Sequence, residues 1–188
     1  RLFSPITLPE SSVALMKTVQ DALNEQLKHE FYSAYLYLSM SAHCTAANLP
    51  GFASWMRRQA QEEVLHALKF YDYIEDRGGR VVLHAVERPP ADFKSPLDIL
   101  EQVRKHEEMV TGEINRLYAL AVQEQDYASQ TFLQWFLTEQ VEEEKLSTQV
   151  FERLKMVGDN RPALLLIDNE MGRRGQPGRR ADERSAGR

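Results

Sequence analysis

The chain has a single cysteine, Cys44, among 188 residues. One thiol cannot close an intramolecular disulfide, complete a zinc ribbon or supply an iron site built from four cysteines. It suits a reducing compartment, so a cytoplasmic location is expected. Long apolar runs are missing too. None approaches membrane-spanning length, and the opening RLFSPITLPESS has no continuous hydrophobic segment to read as a secretory signal. Nor is there an excess of positive charge: the formal net charge is −5, which gives no overall electrostatic footprint for nucleic acid. Neither a membrane nor a nucleic acid is expected as a partner. What is present is an ordinary globular composition, 43% hydrophobic and 27% charged, in a chain long enough for one domain with its own core.

Four long stretches carry helical periodicity, separated by residues suited to helix ends, so the fold class is all-α. The first is expected from about Ser12 to Thr45, with Leu23, Leu27, Ala34, Leu38 and Ser41 on one face, and Asn48-Leu49-Pro50-Gly51 closes it. The second opens near Pro50, continues through Phe52, Trp55, Met56, Phe70 and Ile74, and stops at Gly78-Gly79. The third starts at Ser95-Pro96 and buries Leu100, Val103, Val110, Ile114 and Leu117. Glu124-Gln125-Asp126 turns the chain into the fourth, which runs through Phe132, Trp135, Phe136, Leu146, Val150 and Leu154 to Gly158. A shorter apolar segment, Arg161 to Met171, suggests a small fifth helix. The expected organisation is an N-terminal extension (1–11), a helical domain (12–172) and a disordered Gly/Arg-rich tail (173–188).

Gly78 to Phe93 has no helical pattern and is long for a connection inside a compact domain. A helix of about 28 residues is about 42 Å long, and about 16 extended residues reach roughly 50 Å, so this loop can cross the whole bundle. Short first and third connections with a long middle one give two antiparallel hairpins joined by a crossover.

Several carboxylates interrupt stripes that otherwise face the core. Glu30 lies in the series Leu23, Leu27, Glu30, Ala34; Glu107 lies between Val103 and Val110; Glu63 and His66 lie between Gln59 and Phe70; Glu143 lies between Gln140 and Leu146. Unpaired ionised carboxylates are costly in an apolar interior, so convergence of four of them argues for a multivalent cation. Glu63-Val64-Leu65-His66 adds a carboxylate and an imidazole three residues apart, on one side of a helix. That pair alone is weak, because E-x-x-H occurs by chance on charged surface helices. Oxygen-rich ligation with one imidazole favours iron over the thiolate-selected metals, while zinc, manganese or cobalt could occupy the same groups.

The segments ALNEQLKHEFYSAYLYLSMSA, RRQAQEEVLHALKFYDYI and FLQWFLTEQVEEEKL resemble the corresponding helices of bacterial non-haem ferritins, over about Leu15 to Gly158. The resemblance implies a ferritin-like four-helix bundle with a short C-terminal helix. It implies one iron held by Glu30, Glu63 and His66 and a second by Glu63, Glu107 and Glu143, with Glu63 bridging. Gln140 matches a glutamine lining the second position, and Tyr37 matches a tyrosine beside the centre. Helix geometry also places Tyr37 nearly two turns after Glu30, leaning back toward it. Glu62, Glu139, Glu142 and Glu143 match the residues of a possible third iron position. The activity implied is ferroxidase: Fe(II) is oxidised to Fe(III) by O2 or peroxide, and the product is stored as mineral in a homo-oligomeric cage of 24 subunits.

Related families fit less well. Bacterioferritins usually repeat E-x-x-H on the fourth helix, where this chain has Gln140-Val141-Glu142-Glu143 and then Leu146. They also ligate haem through a methionine after the motif carboxylate; Val64 stands there, so no haem is expected. Rubrerythrin-like peroxidases need a four-cysteine site. Dps-type shells place iron ligands between subunits and use shorter bundles. Two other classes remain as alternatives: a di-iron oxidase or oxygenase acting on an organic substrate, which needs an apolar channel, and a metal-free structural or signalling module, which needs exposed carboxylates.

The remaining candidates have plainer readings. Glu62, Glu139, Glu142 and Glu144 could form a solvated charged face. His29 and His106 each adjoin an expected ligand but point about 100° away from it, so they read as structural or surface residues. His43 and His84 have no recognisable partners, and Cys44 reads as a small buried hydrophobe. The Arg-rich tail could touch DNA or an anionic surface, but it reads first as a short disordered tag on a shell.

Overall fold

The computed structural model describes residues 15–174. Within them the chain forms five helices: α1 (Lys17–Ala46), α2 (Pro50–Asp76), α3 (Pro96–Gln123), α4 (Tyr127–Val157) and α5 (Arg161–Arg173). The first is shorter than its sequence suggests. Leu15 and Met16 are not helical, residues 12–14 lie outside the described part, and so do the N-terminal extension and the tail from 175 on. The fifth is longer, because Arg173 completes its last turn.

Cap chemistry fixes three of the starts. The Ser95 hydroxyl accepts from Asp98 N at 3.1 Å, and Pro96 follows it, with the φ of a first helical residue already set. The Asp126 carboxylate accepts from Ser129 N, and the Asn160 amide oxygen accepts from Ala163 N, each at 3.1 Å. Gly158, at φ 54°, stops α4 in a conformation that costs a residue with a Cβ more than glycine.

The α1–α2 and α3–α4 pairs are hairpins with three-residue connections, 47–49 and 124–126. Residues 77–95 form the crossover, which climbs along α1. Gln20 Oε1 accepts from Arg80 N at 2.8 Å, Asn24 Oδ1 accepts from Val82 N at 2.7 Å, Ser39 Oγ donates to Pro90 O at 2.5 Å, and Phe93 packs edge-on against His43. A loop with no hydrogen bonds of its own thus takes them from side chains of the helix it follows. It starts beside the first turns of α1 and ends beside the last, so α3 runs parallel to α2 and α4 parallel to α1.

The core has two apolar clusters. One contains Tyr37, Met40, Phe52, Trp55, Met56, Val103, Val150 and Leu154; the other contains Leu23, Leu27, Phe70, Val110, Ile114, Leu133 and Phe136. One residue of the expected α1 face is misplaced: Leu38 is 45% exposed, while Tyr37 and Ser41 are buried. Two successive four-residue steps from Glu30 overshoot the 3.6-residue turn by about 80°, and the buried line advances 30, 34, 37, 41, 44 instead.

The short α5 docks on the start of α2. Asp168 accepts from Gly51 N at 3.1 Å and from Phe52 N at 2.8 Å, so a side chain from another helix caps α2, which has no cap of its own. The approach is so close that a Cβ at Gly51 would lie 1.7 Å from the Asp168 carbonyl oxygen. At the other end of the bundle, Arg77 after α2 donates to both oxygens of Asp126 before α4, at 2.9 and 3.2 Å. Among the described residues no helix is long and apolar enough to cross a membrane.

Candidate metal centre

Between the two apolar clusters every long helix contributes a polar residue at the same level. Glu30 comes from α1, Glu63 and His66 from α2, Glu107 from α3, and Gln140 and Glu143 from α4; all are buried. Each lies on its helix's core stripe, so the packing that buries Leu27, Ala67, Val110 and Phe136 also carries these groups inward.

The tightest part is Glu30, Glu63 and His66, whose donor atoms all lie within 4.8 Å of one another. His66 Nδ1 is 3.2 Å from Glu63 Oε2 and 3.8 Å from Glu30 Oε2. Gln26, one turn before Glu30, donates to its Oε1 at 2.7 Å. Glu107 Oε1 accepts from the Tyr37 hydroxyl at 2.5 Å, and its Oε2 accepts from Gln140 Nε2 at 3.3 Å. Gln59 Nε2 donates to Glu143 Oε2 at 3.1 Å. The carboxyl oxygens are thus oriented by donors from other turns or other helices, as ligands of a metal usually are. The Tyr37 hydroxyl, expected beside Glu30, crosses to Glu107 on α3.

Burial pushes the Glu30 carboxyl well above its ordinary 4.5, and the charge of Glu63 adds to the shift. Burial also raises Glu63 strongly, with Glu107 as the next cause, and raises Glu107 despite the opposing hydrogen bonds from Tyr37 and Gln140. The Tyr37 hydroxyl is pushed up by burial and by the neighbouring carboxylates, Glu107 foremost. Carboxyls that resist ionising together in an apolar shell become strong oxygen ligands once a multivalent cation balances their charge.

A cleft of about 180 Å³ opens onto this layer, lined by Glu62, Leu65, His66, Lys69, Trp135, Glu139 and Glu143. Trp135 meets the His66 ring edge-on at 5.3 Å, and Phe136 meets it at 5.9 Å. Of the residues matched to a third iron position, Glu62, Glu139 and Glu143 line the cleft, whereas Glu142 is exposed and outside it. Glu144, one residue on, is half-buried.

The histidines beside the expected ligands stay off the centre. His106 Nε2 lies 2.7 Å from Ser33 Oγ, and burial, with His29 nearby, lowers it to about 4, so it is a neutral packing residue. His84 lies 3.5 Å from Glu25. Cys44 is buried, and desolvation raises its thiol to about 11. Four further residues, Gln26, Gln59, Trp135 and Lys69, meet the centre or its cleft without being expected there. A signal for the amides was present: Gln26 and Gln59 stand four residues before Glu30 and Glu63, on the same core stripes.

The family description "Ferritin-like domain" matches residues 20–157. The chain is 40% identical over 160 residues to a bacterial non-heme ferritin of Staphylococcus aureus, covering 85% of this chain and 96% of that protein. It is 37% identical over 158 residues to a probable bacterial non-heme ferritin-like protein of Haemophilus influenzae, covering 84% and 96%. Its fold is similar to that of an open pore ferritin from the archaeon Archaeoglobus fulgidus, with a TM-score of 0.84 and 46% identity over 85% of this chain and 98% of that one.

Proposed function

The chain belongs to the ferritin family and functions as an iron-storage ferritin, and from that premise we propose that its buried carboxylate layer is where Fe(II) is oxidised. One Fe(II) is bound by Glu30, Glu63 and His66. A second is bound by Glu63, Glu107 and Glu143, with Gln140 beside it and Glu63 shared. The observation that carries this reading is the closeness of the buried Glu30, Glu63 and His66 donors, held by hydrogen bonds from outside the trio.

The chain's part in the reaction is to bind, orient and move protons. Burial makes these carboxyls hold protons more firmly, and Fe(II) binding displaces whatever protons they carry. Hard oxygen ligands then bind Fe(III) more strongly than Fe(II), which favours oxidation. Two Fe(II) supply two electrons; with O2 and two protons they give peroxide, and with peroxide and two protons they give two waters. Glu62 and Glu139 in the cleft form a third position through which Fe(III) leaves.

A single bundle encloses no space for a mineral, so storage implies a closed homo-oligomer, here a cage of 24 subunits. The cytoplasm, where the Cys44 thiol stays reduced, is the compartment this reading favours. An oxidase for an organic substrate fits less well, because the cleft at the centre is small and carries several charges. The larger groove, about 310 Å³ between Lys28, His29, Tyr32, Glu87 and Met109, includes no residue of the centre. Size-exclusion chromatography after aerobic Fe(II) loading, with an iron stain, tests the proposal. Iron-filled particles of shell size support it, and a small iron-free particle from active Fe(II)-oxidising protein would favour the oxidase.

A further inference from the structure

Among the described residues lining the cleft, Lys69 alone carries a fixed positive charge. It stands one turn after His66 on α2, and its ammonium lies 4.3 Å from the centre of the Trp135 ring. That ring in turn meets His66 edge-on at 5.3 Å. A lysine side chain is long and flexible, and the cation–π contact holds its charge at one place on the wall. The place matters. His66 and Glu143 are each 7% exposed and line this cleft beside the half-buried Glu62 and Glu139, so the cleft is where these groups meet solvent.

We propose that Lys69 is a charge gate at the mouth of the metal centre: held over Trp135, its ammonium weakens the grip of Glu62, Glu139 and Glu143 on a divalent cation and so sets how fast iron passes through. The idea rests on the reading of the buried carboxylates as an Fe(II) site. Its physics is simple. Three carboxylates at a mouth would hold a cation long enough to block the next one, and a fixed positive charge nearby loosens that hold without occupying a ligand position. A unit charge about 8 Å from a divalent ion, through an aqueous dielectric, alters its binding on the order of fivefold.

The test compares wild type, Lys69→Met and Lys69→Arg as assembled protein, titrated calorimetrically with Zn(II), which has no redox chemistry of its own. Lys69→Met keeps the stem and removes the charge; it is expected to bind its weakest class of Zn(II) about fivefold more tightly. After a first round of Fe(II) oxidation it is expected to regain activity more slowly than wild type. Lys69→Arg keeps the charge and the ring contact, and matches wild type in both readouts. The difference between wild type and Lys69→Met shrinks as salt rises from about 0.01 to about 1 M, where the screening length falls from about 30 to about 3 Å; a merely structural role would not show this. Identical low-salt Zn(II) curves for wild type and Lys69→Met overturn the gate, as does an equal shift in Lys69→Arg. Wild type that binds Zn(II) but does not oxidise Fe(II) overturns the ferroxidase reading instead, and the Zn(II) comparison still decides the gate.

Discussion

The Tyr37 hydroxyl donates to Glu107 Oε1 at 2.5 Å, joining α1 to α3 at the level of the carboxylates. This bond holds one oxygen of the proposed ligand Glu107 in place and favours its ionised form. Removing it in Tyr37→Phe lets the Glu107 carboxyl rise further, so metal must displace a proton held more firmly. Fe(II) oxidation is expected to slow about tenfold, with the pH of half-maximal Co(II) binding moving upward. A pH profile that superimposes on that of wild type would sink this role for the bond.

Glu63 faces both His66 and Glu30, and in the proposed reading it is the carboxylate shared by the two iron positions. Glu63→Ala is expected to lower the initial rate of Fe(II) oxidation at least about 100-fold while leaving the assembled particle intact. Stopped-flow absorbance with size-exclusion chromatography reads both. Retention of the wild-type rate would remove Glu63 from the centre.

In the metal-free protein Glu30, Glu63 and Glu107 all ionise above the ordinary 4.5. A group whose folded pKa is raised contributes stability that is fully present below its unfolded pKa and is lost as pH rises through the folded value. Thermal denaturation in chelator should therefore show the midpoint falling as pH climbs above about 4.5. Glu63→Gln, which cannot ionise, should flatten that fall. A midpoint that rises over the same interval would contradict the raised values.

Bound metal should reverse the loss. A ligand that binds only the folded state at 100 times its dissociation constant stabilises it by about 2.7 kcal/mol, so Zn(II) should raise the midpoint near neutral pH. Chelator should remove the gain, and Glu63→Ala should lose most of it.

Far from the centre, Arg77 and Asp126 pin the end of α2 to the start of α4, and both side chains are largely buried. Burial alone would raise the Asp126 carboxyl, yet hydrogen bonds from Arg77 and Ser129 hold it below its ordinary value. Arg77→Ala strands that charge and is expected to cost about 3 kcal/mol in denaturant titration. Asp126→Asn in the same background should restore part of it, since the stranded charge is then gone. No loss in Arg77→Ala would show that the pair contributes nothing.

The sequence alone exposed the buried acids of the proposed centre because their signal is local. Glu30, Glu63, Glu107 and Glu143 are visible as acids on apolar stripes, and Glu63 with His66 as a pair one turn apart. The ends of α2, α3 and α4 were legible for the same reason: Pro50, Ser95-Pro96 and Gly158 act on the backbone within a few residues of themselves. Errors arose where a small angular drift accumulates, as at Leu38, or where a helix starts without a side-chain cap, as at Met16.

Only the tertiary structure decided which polar group meets which. It sends Tyr37 to Glu107, Gln59 to Glu143 and Asp168 to the start of α2, places Lys69 over Trp135, and leaves Glu142 outside the cleft. These pairings depend on how far each helix is rotated about its axis and slid along its neighbour. Spacing along one helix constrains neither quantity, so local pattern determined which carboxyls turn inward and packing between helices determined how they are arranged.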